Sequence, residues 1–262
     1  MKNKVILISI DGMRPDGLLG CNNPFIDEMM KLGSYTLSAR TVFPSVTLPC
    51  HMSMFHSVPP ERHGININTY MPPVRPINGL FEQIYSAGGR SAMYYGWEPL
   101  RDIARPGSLV AAEYIWAYST EHTDEILTKN ALNYIKESNP DFVFLYMVET
   151  DEKGGHDNGW MSDIYLQYVH DAMNNVKTVL EQTKGEYTVI VTADHGGHDR
   201  IHGTKLDEDM IIPIFFFGKD FEAGKKLYGI SILDLAPTIA DIMQVPAALG
   251  WEGKSILRKG GK

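Results

Sequence analysis

The chain has 262 residues, 44% of them hydrophobic and 21% charged, an ordinary balance for a soluble globular protein with one real core. Its formal net charge of −8 is spread over mixed-sign segments without a long basic run. That distribution excludes sequence-independent binding to a nucleic acid duplex or an anionic membrane, so a positive pocket must come from metal ions or local dipoles.

The start, "MKNKVILISIDG", holds an apolar run (4–10) that is too short to span a membrane, has no small-residue cleavage site and meets Asp11 at once. It reads as a buried strand, and the expected location is the cytoplasm. Cys21 and Cys50 are accordingly expected as reduced thiols. "NPFIDEMMKLG" (23–33) has helical period, with Asn23 as cap and Pro24 at the first helical position. "TVFPSVTLPCHMSMFHS" (41–57) follows, and a helix start is read at "LPCHMSMFHSV". The stretch from Asn68 to Tyr118 is the least regular, rich in prolines and aromatics, and is expected to be an insertion covering the site, although "INGLFEQIYSAGG" has helical period and "RSAMYYG" (90–96) is strand-like.

Beyond it, helical and strand signals alternate. "TDEILTKNALNYIKES" precedes the apolar run "DFVFLYMV" (141–148), and "SDIYLQYVHDAMNNVKTVLEQT" precedes "YTVIVTA" (187–193). "IIPIFFFG" (211–218) and the helical "SILDLAPTIADIMQV" close the series, with Pro237 in a first turn where it loses no helix bond. The strands lack polar alternation, as strands buried on both faces do. The expectation is therefore one domain (1–262) of the α/β class, a three-layer α/β/α sandwich with a mostly parallel central sheet.

Open α/β sheets bind ligands beyond the carboxyl ends of their strands. Three runs end there in carboxylates: "ISIDG" at Asp11, "LYMVETD" at Asp151, and "VIVTADH" at Asp194 with His195 behind it. His156 follows Asp151 in a glycine-containing loop, and "ADHGGHDRIHGT" adds His198 and His202. One such Asp is ordinarily a turn former. Three carboxylates with several imidazoles suit zinc or a similar divalent ion, and are too many for one tetrahedral site. Two ions with open positions are the apparatus of phosphoryl transfer. A nucleophile is then needed, and spacing alone leaves both Ser45 and Thr47 as candidates.

The motifs "SIDGMRPD", "TLPCH" followed by "ERHGI", "ETDEKGGH", "TADHGGH", "IHGT" and "SILDLAPT" resemble the ordered motifs of the alkaline phosphatase superfamily, in its nucleotide pyrophosphatase/phosphodiesterase branch. The resemblance runs from Lys4 to about Leu257. It implies an alkaline-phosphatase-like fold and a hydrolase cleaving phosphodiester or pyrophosphate bonds through a phosphothreonine. It places the nucleophile at Thr47, with Asp11, Thr47, Asp194 and His195 around one divalent ion and Asp151, His156 and His202 around the other. Zinc is the expected metal and manganese the alternative. Asn68, shortly after "HGI", is implied as a holder of a phosphoryl oxygen, and His198 is outside the implied ligand set. "DEKGGH" is one residue longer than the family's D-x-x-G-H spacing, so Glu152 competes with Asp151 for the ligand role. Cys50 stands where the family has asparagine, and "CHMSM" lacks the C-x-P-x-R that a sulfatase needs. The expected substrate is a small phosphate ester, with a nucleotide as one candidate. A phosphomonoesterase or phosphotransferase of the same superfamily is the alternative, favoured if Arg14 or Arg40 enters the site. A non-catalytic metal-binding protein is the third reading.

Overall fold

The computed structural model describes Met1 and residues 3–259; residues 2 and 260–262, which the single-domain expectation includes, lie outside the described residues. Seven strands form one sheet: β1 (Lys4–Ile10), β2 (Ser34–Arg40), β3 (Ser91–Tyr95), β4 (Ala111–Tyr114), β5 (Phe142–Met147), β6 (Tyr187–Thr192) and β7 (Ile211–Phe217), in the order β2-β7-β6-β1-β5-β3-β4. β1 pairs in parallel with β5 and β6, and β3 in parallel with β5 and β4. β7 pairs antiparallel with both β6 and β2. The sheet is thus mostly parallel, as its unbroken apolar strands require: every residue of β5 and β6 is buried.

The helices are α1 (Pro15–Gly20), α2 (Phe25–Leu32), α3 (Thr47–His56), α4 (Pro60–His63), α5 (Leu80–Ser86), α6 (Thr123–Ser138), α7 (Asp163–Gln182), α8 (Asp207–Met210), α9 (Leu235–Met243) and α10 (Ile256–Lys259). α7 packs with α1, α2 and α6, whereas α3, α5 and α9 pack with one another, which gives the two helical layers around the sheet. The buried residues of α7, Tyr165, Val169, Ala172, Met173, Val176 and Val179, recur at helical spacing and form the stripe that faces inward. Ser162 starts this helix by accepting the Tyr165 N–H at 3.1 Å. In the opposite layer Phe55 of α3 stacks on Phe81 and meets Phe144 of β5, each at 4.8 Å between ring centres. Cutting Phe144 to alanine in this packing costs about 3–5 kcal/mol.

Two elements position the chemistry. β1 lies between β6 and β5, so three neighbouring parallel strands end at one edge. β7 runs back against β6, so the segment joining them, 193–210, stays above that same edge with its histidines. The segment from Asn68 to Tyr118, expected as a cover, itself contributes α5, β3 and β4, and so belongs in large part to the sheet and its flanking layer. Both cysteines are buried and free. Among the described residues no helix is long and apolar enough to cross a membrane.

Candidate metal centre

Asp11 follows the last residue of β1, Asp194 stands two residues beyond β6, and Asp151 four beyond β5. Asp11, Asp194 and His195 offer ligand atoms within 4.8 Å of one another, and so do Asp151, His195 and His202. His195 therefore lies between the two groups, with its Nε2 3.2 Å from Asp11 Oδ1 and 3.3 Å from Asp194 Oδ2. His156 joins through Asp151, Nε2 to Oδ2 at 3.3 Å, and His202 Nε2 stands 4.0 Å from Asp151 Oδ1.

The lengthened loop is accommodated locally. Residues Thr150–His156 form a π-helical turn, the wider winding that takes up one extra residue within a helical segment. Asp151 thereby meets His156, while Glu152 turns to the Tyr118 hydroxyl. Asp151, not Glu152, stands with the imidazoles.

All three imidazoles are oriented alike. His156, His195 and His202 each donate Nδ1–H to a backbone carbonyl, of Arg200 at 2.9 Å, Gly196 at 2.7 Å and Ser45 at 2.9 Å. A ring fixed in that tautomer presents the Nε2 lone pair, the usual preparation of a metal ligand. The carboxylates complement it, because Asp11 Oδ1, Asp151 Oδ1 and Asp194 Oδ2 are buried and have no hydrogen-bond donor. Buried acceptors without donors are costly in a folded protein unless a cation meets them. The donor set, three carboxylates and three imidazoles, fits two divalent ions with nitrogen and oxygen ligation.

The electrostatics agree. Burial, followed by repulsion from Asp151 and Asp194, raises the Asp11 carboxyl well above its ordinary range, and burial pushes Asp194 up to about 8. Burial also acts upward on Asp151, but its hydrogen bond to His156 and the neighbouring His202 and His195 outweigh it and hold this carboxyl low. The bond to Asp151 raises His156 to about 9, whereas burial and His202 drive His195 well below its ordinary value. Glu152 is raised by burial, against the lowering effect of Tyr118.

Thr47 is the first residue of α3, and its Oγ1 lies 3.2 Å from His195 Nε2. Ser45, the other candidate, spends its hydroxyl on the Thr204 carbonyl at 2.8 Å. Asn68 reaches the same helix start, its Oδ1 accepting the Leu48 N–H at 2.9 Å. The "HGI" motif explains this placement. His63 Nδ1 accepts the Ile65 N–H at 3.1 Å, Nε2–H donates to Ser53 Oγ at 3.0 Å, and Gly64 turns the chain at φ +79°. The segment leading to Asn68 is thereby bound to α3. His198 is not among the gathered ligands: it donates Nδ1–H to Asp209 at 2.7 Å.

Several supporting residues escape sequence reading. His51, one helical turn beyond Thr47, donates to the Thr47 carbonyl at 2.8 Å and accepts from Ser9 at 3.1 Å; burial lowers it to about 4, so it is neutral. The Tyr146 hydroxyl donates to Asp11 Oδ2. Trp160 donates to the Gly12 carbonyl at 2.9 Å, and its ring lies against Gly155 and Gly197, where a Cβ would come within 2.5 and 2.2 Å. Gly12 itself adopts φ +64°, and a Cβ there would stand 2.7 Å from Asp151 Oδ1. Asp209 accepts from the Thr204 N–H at 2.8 Å and from its hydroxyl at 2.7 Å, which ties down the loop carrying His202. Asp124 accepts the Val148 and Glu149 N–H groups at 2.9 and 3.1 Å, fixing the root of the Asp151 turn. The detectable signal was only "TDEIL", an acidic residue in a helix's first turn.

These groups open into a cavity of about 110 Å³ lined by Asp11, Thr47, Asn68, Trp97, Tyr118, Tyr146, Val148, Asp151, Glu152, His156 and His202. Neither arginine enters it. Arg14 binds Asp16 and the Gly197 carbonyl, and Arg40 pairs with Asp207 at the surface. A larger groove of about 1210 Å³ between α6 and α7 contains none of the gathered ligands.

Residues 5–209 match the type I phosphodiesterase / nucleotide pyrophosphatase family, and the chain belongs to it. It is 25% identical over 222 residues to venom phosphodiesterase 2 of Crotalus adamanteus, covering 74% of this chain and 27% of the relative. Against the human ectonucleotide pyrophosphatase/phosphodiesterase family member 1 it is 26% identical over 217 residues, covering 73% and 23%. The chain thus spans about a quarter of the length of these relatives. Among solved structures, murine ectonucleotide pyrophosphatase / phosphodiesterase 5 in complex with AMP superposes with a TM-score of 0.81 at 16% identity, over 96% of this chain and 97% of that one. A 2-O glycosaminoglycan sulfatase, BT1596, superposes with a TM-score of 0.77 at 15% identity, over 99% and 74%. These likenesses establish the α/β alkaline-phosphatase-like fold.

Proposed function

We propose that this member of the family is a two-metal hydrolase that cleaves phosphodiester or pyrophosphate bonds by double displacement through a phosphothreonine at Thr47. One observation carries the reading: a hydroxyl at the start of a buried helix stands beside two clusters in which imidazole Nε2 atoms face carboxylates that have unpartnered oxygens. A structural metal site needs no such hydroxyl and no adjoining cavity.

Asp11, Thr47, Asp194 and His195 would hold one ion, and Asp151, His156 and His202 the other. The ions, zinc foremost, with manganese as the alternative, would supply positive charge for the phosphoryl oxygens and acidify the nucleophilic hydroxyl and water. Thr47 Oγ, once deprotonated, attacks phosphorus as the bond to the leaving alcohol or phosphate breaks; a water then attacks phosphorus, and the bond to Thr47 breaks as the hydroxyl regains a proton. Asn68, whose Oδ1 accepts the Leu48 N–H, would turn its Nδ2–H groups toward a nonbridging oxygen at the start of α3. The three imidazoles spend Nδ1–H on carbonyls, so none of them is arranged to shuttle a proton through that atom.

Among the described residues no Lys or Arg lines the cavity, which favours diesters over monoesters, whose additional charge rewards a guanidinium or ammonium. The AMP held by the murine relative supports a nucleotide as substrate, and Trp97 and Tyr118, which line the cavity, would stack on a base, while Tyr146 is engaged with Asp11. Tyr94 and Tyr95, by contrast, are buried in β3.

The test is an assay of bis(4-nitrophenyl) phosphate beside 4-nitrophenyl phosphate with zinc or manganese added. The diester is expected to turn over faster. Thr47→Ala is expected to lose at least about 10³-fold in kcat while still binding about two metal ions, and Thr47→Ser to keep part of the activity. An alanine variant turning over at near the wild-type rate would sink the covalent route.

A further inference from the structure

We propose that Lys153 is a positioning residue for the second metal ion: its ammonium pins the 150–156 turn from the side facing away from the cavity, and so sets the span between Asp151 and His156. This deepens the two-metal reading above and rests on it. Among the described residues the two faces of the turn share no lining. Asp151 and His156 line the cavity of about 110 Å³, whereas Glu149 and Lys153 line the larger groove between α6 and α7. On the groove side Lys153 Nζ donates to Glu149 Oε1 at 2.6 Å and to the Thr120 carbonyl at 2.9 Å. Glu149 Oε2 in turn accepts the Asp124 N–H at 3.3 Å, and Asp124 accepts the Val148 and Glu149 N–H groups. These bonds close a ring that runs from the end of β5 through the start of α6 to the middle of the turn.

The charge in that ring depends on Lys153. Asp124 and Glu149 are two buried carboxylates side by side. Burial and then Glu149 push the Asp124 carboxyl up to about 8, and Lys153 acts against both. Removing the ammonium leaves Glu149 a buried carboxylate without its cation, a costly state that a shift of Glu149 toward the groove relieves. Asp151 is two residues on and would be carried with it. The far end of the turn is held separately, since Asn158 Nδ2 donates to the Lys153 carbonyl at 2.7 Å across His156. A π turn is rare as a winding, so the 3.3 Å approach of Asp151 to His156 depends on such bonds around it. Asp11, Asp194 and His195 hang from β1 and β6 and take no bond from the ring, so the first ion should not feel the change. The Lys153 side chain is 21% exposed and opens on a groove of about 1210 Å³, so a small ammonium ion can enter the space it would vacate.

The decisive measurement is calorimetric titration of the metal-free full chain with zinc, in which the uptake step weakened by Asp151→Asn marks the second ion. Lys153→Ala is expected to weaken that step about tenfold and to leave the other within about twofold, while Lys153→Arg stays within about threefold of wild type at both. Propylammonium added to Lys153→Ala should recover most of the lost affinity, and propanol, its uncharged counterpart, should not. A second-ion step unmoved in Lys153→Ala overturns the inference. So does a variant in which both steps weaken alike and neither arginine nor propylammonium restores them, because that pattern marks a general loss of fold. Diester hydrolysis by the wild type is scored separately. If no diester is cleaved but Lys153→Ala loses the second ion selectively, the hydrolase reading falls and the positioning role stands. If the diester is cleaved and the second-ion step is unmoved in Lys153→Ala, the positioning role falls and the hydrolase stands.

Discussion

The two carboxylate–imidazole clusters sit side by side but are built on opposite terms. Asp11, Asp194 and His195 hang from the ends of β1 and β6, with side chains 2%, 0% and 0% exposed. Asp151, His156 and His202 stand on a π-helical turn and a loop, with side chains 6%, 35% and 9% exposed. Like charges crowd the inner cluster, and burial raises both of its carboxyls. The outer cluster carries its own compensation, since its imidazoles hold Asp151 low. A metal ion would thus relieve charge in the inner cluster and would mainly organise existing partners in the outer one.

The contrast can be broken most forcefully at the turn. Asp151→Asn is expected to weaken the outer ion by more than about 100-fold, since even partners beyond the ligands are worth 10–100-fold. Glu152→Gln should leave metal content close to wild type. Metal analysis after dialysis decides it, and loss of metal from Glu152→Gln alone would make Glu152 the ligand.

A smaller effect sharpens the comparison in the metal-free protein. At pH 9, above the value of about 8 to which burial pushes its carboxyl, Asp194→Asn removes a buried charge and should raise the melting temperature. Asp151→Asn removes an acceptor that three imidazoles favour and should lower it. Each change is expected at about 1–3 kcal/mol, or roughly 2–10 °C for a chain of this size. Calorimetry of both variants without metal is the check, and shifts of the same sign would mean that the clusters are not electrostatically distinct.

The weakest effect is a pH drift. His156 rises from 6.5 to about 9 on folding, so its contribution is complete below pH 6.5 and is lost as pH climbs through 9. Asp194 rises from 3.8 to about 8, so folding favours its protonated form, and that contribution also disappears as pH rises through 8. Both act in one direction, and the metal-free melting temperature should fall between about pH 6.5 and 9. Metal binding demands deprotonated ligands, so zinc occupancy should instead fall as pH drops through the imidazole range. A metal-free melting curve that rises with pH across that window would contradict the assignment of these shifts.

Much of the architecture was legible because the central strands are buried on both faces and therefore write unbroken apolar runs: "KVILISI", "FVFLYM" and "YTVIVT" could hardly be anything else. β2 and β4 were not. "SYTLSAR" and "AAEY" are edge strands with partly exposed residues, and their polar and alanine content conceals the pairing that holds them. β4 lies within the segment 68–118, and its hidden pairing is part of why that stretch reads as irregular. At the site, Asp11, Asp151 and Asp194 stood out because a carboxylate ending an apolar run is conspicuous. Tyr146, Trp160 and Asp209 did not, since an inward tyrosine in a strand or a tryptophan in a loop acquires its role only from partners more than a hundred residues away, or, for Asp209, from a loop that must first fold back. His51 reads simply as part of a buried helix until Ser9 is brought beneath it.

The π-helical turn at Thr150–His156 bears on how such a site can change over evolutionary time. Lengthening an active-site loop ordinarily shifts every downstream side chain by a third of a turn and scrambles what the loop holds. Here one wide winding accommodates the longer spacing, so His156 stands opposite Asp151 while Glu152 lines the cavity. One wide winding thus builds a metal-facing residue and a piece of cavity wall side by side, so the wall can be altered without moving its neighbour.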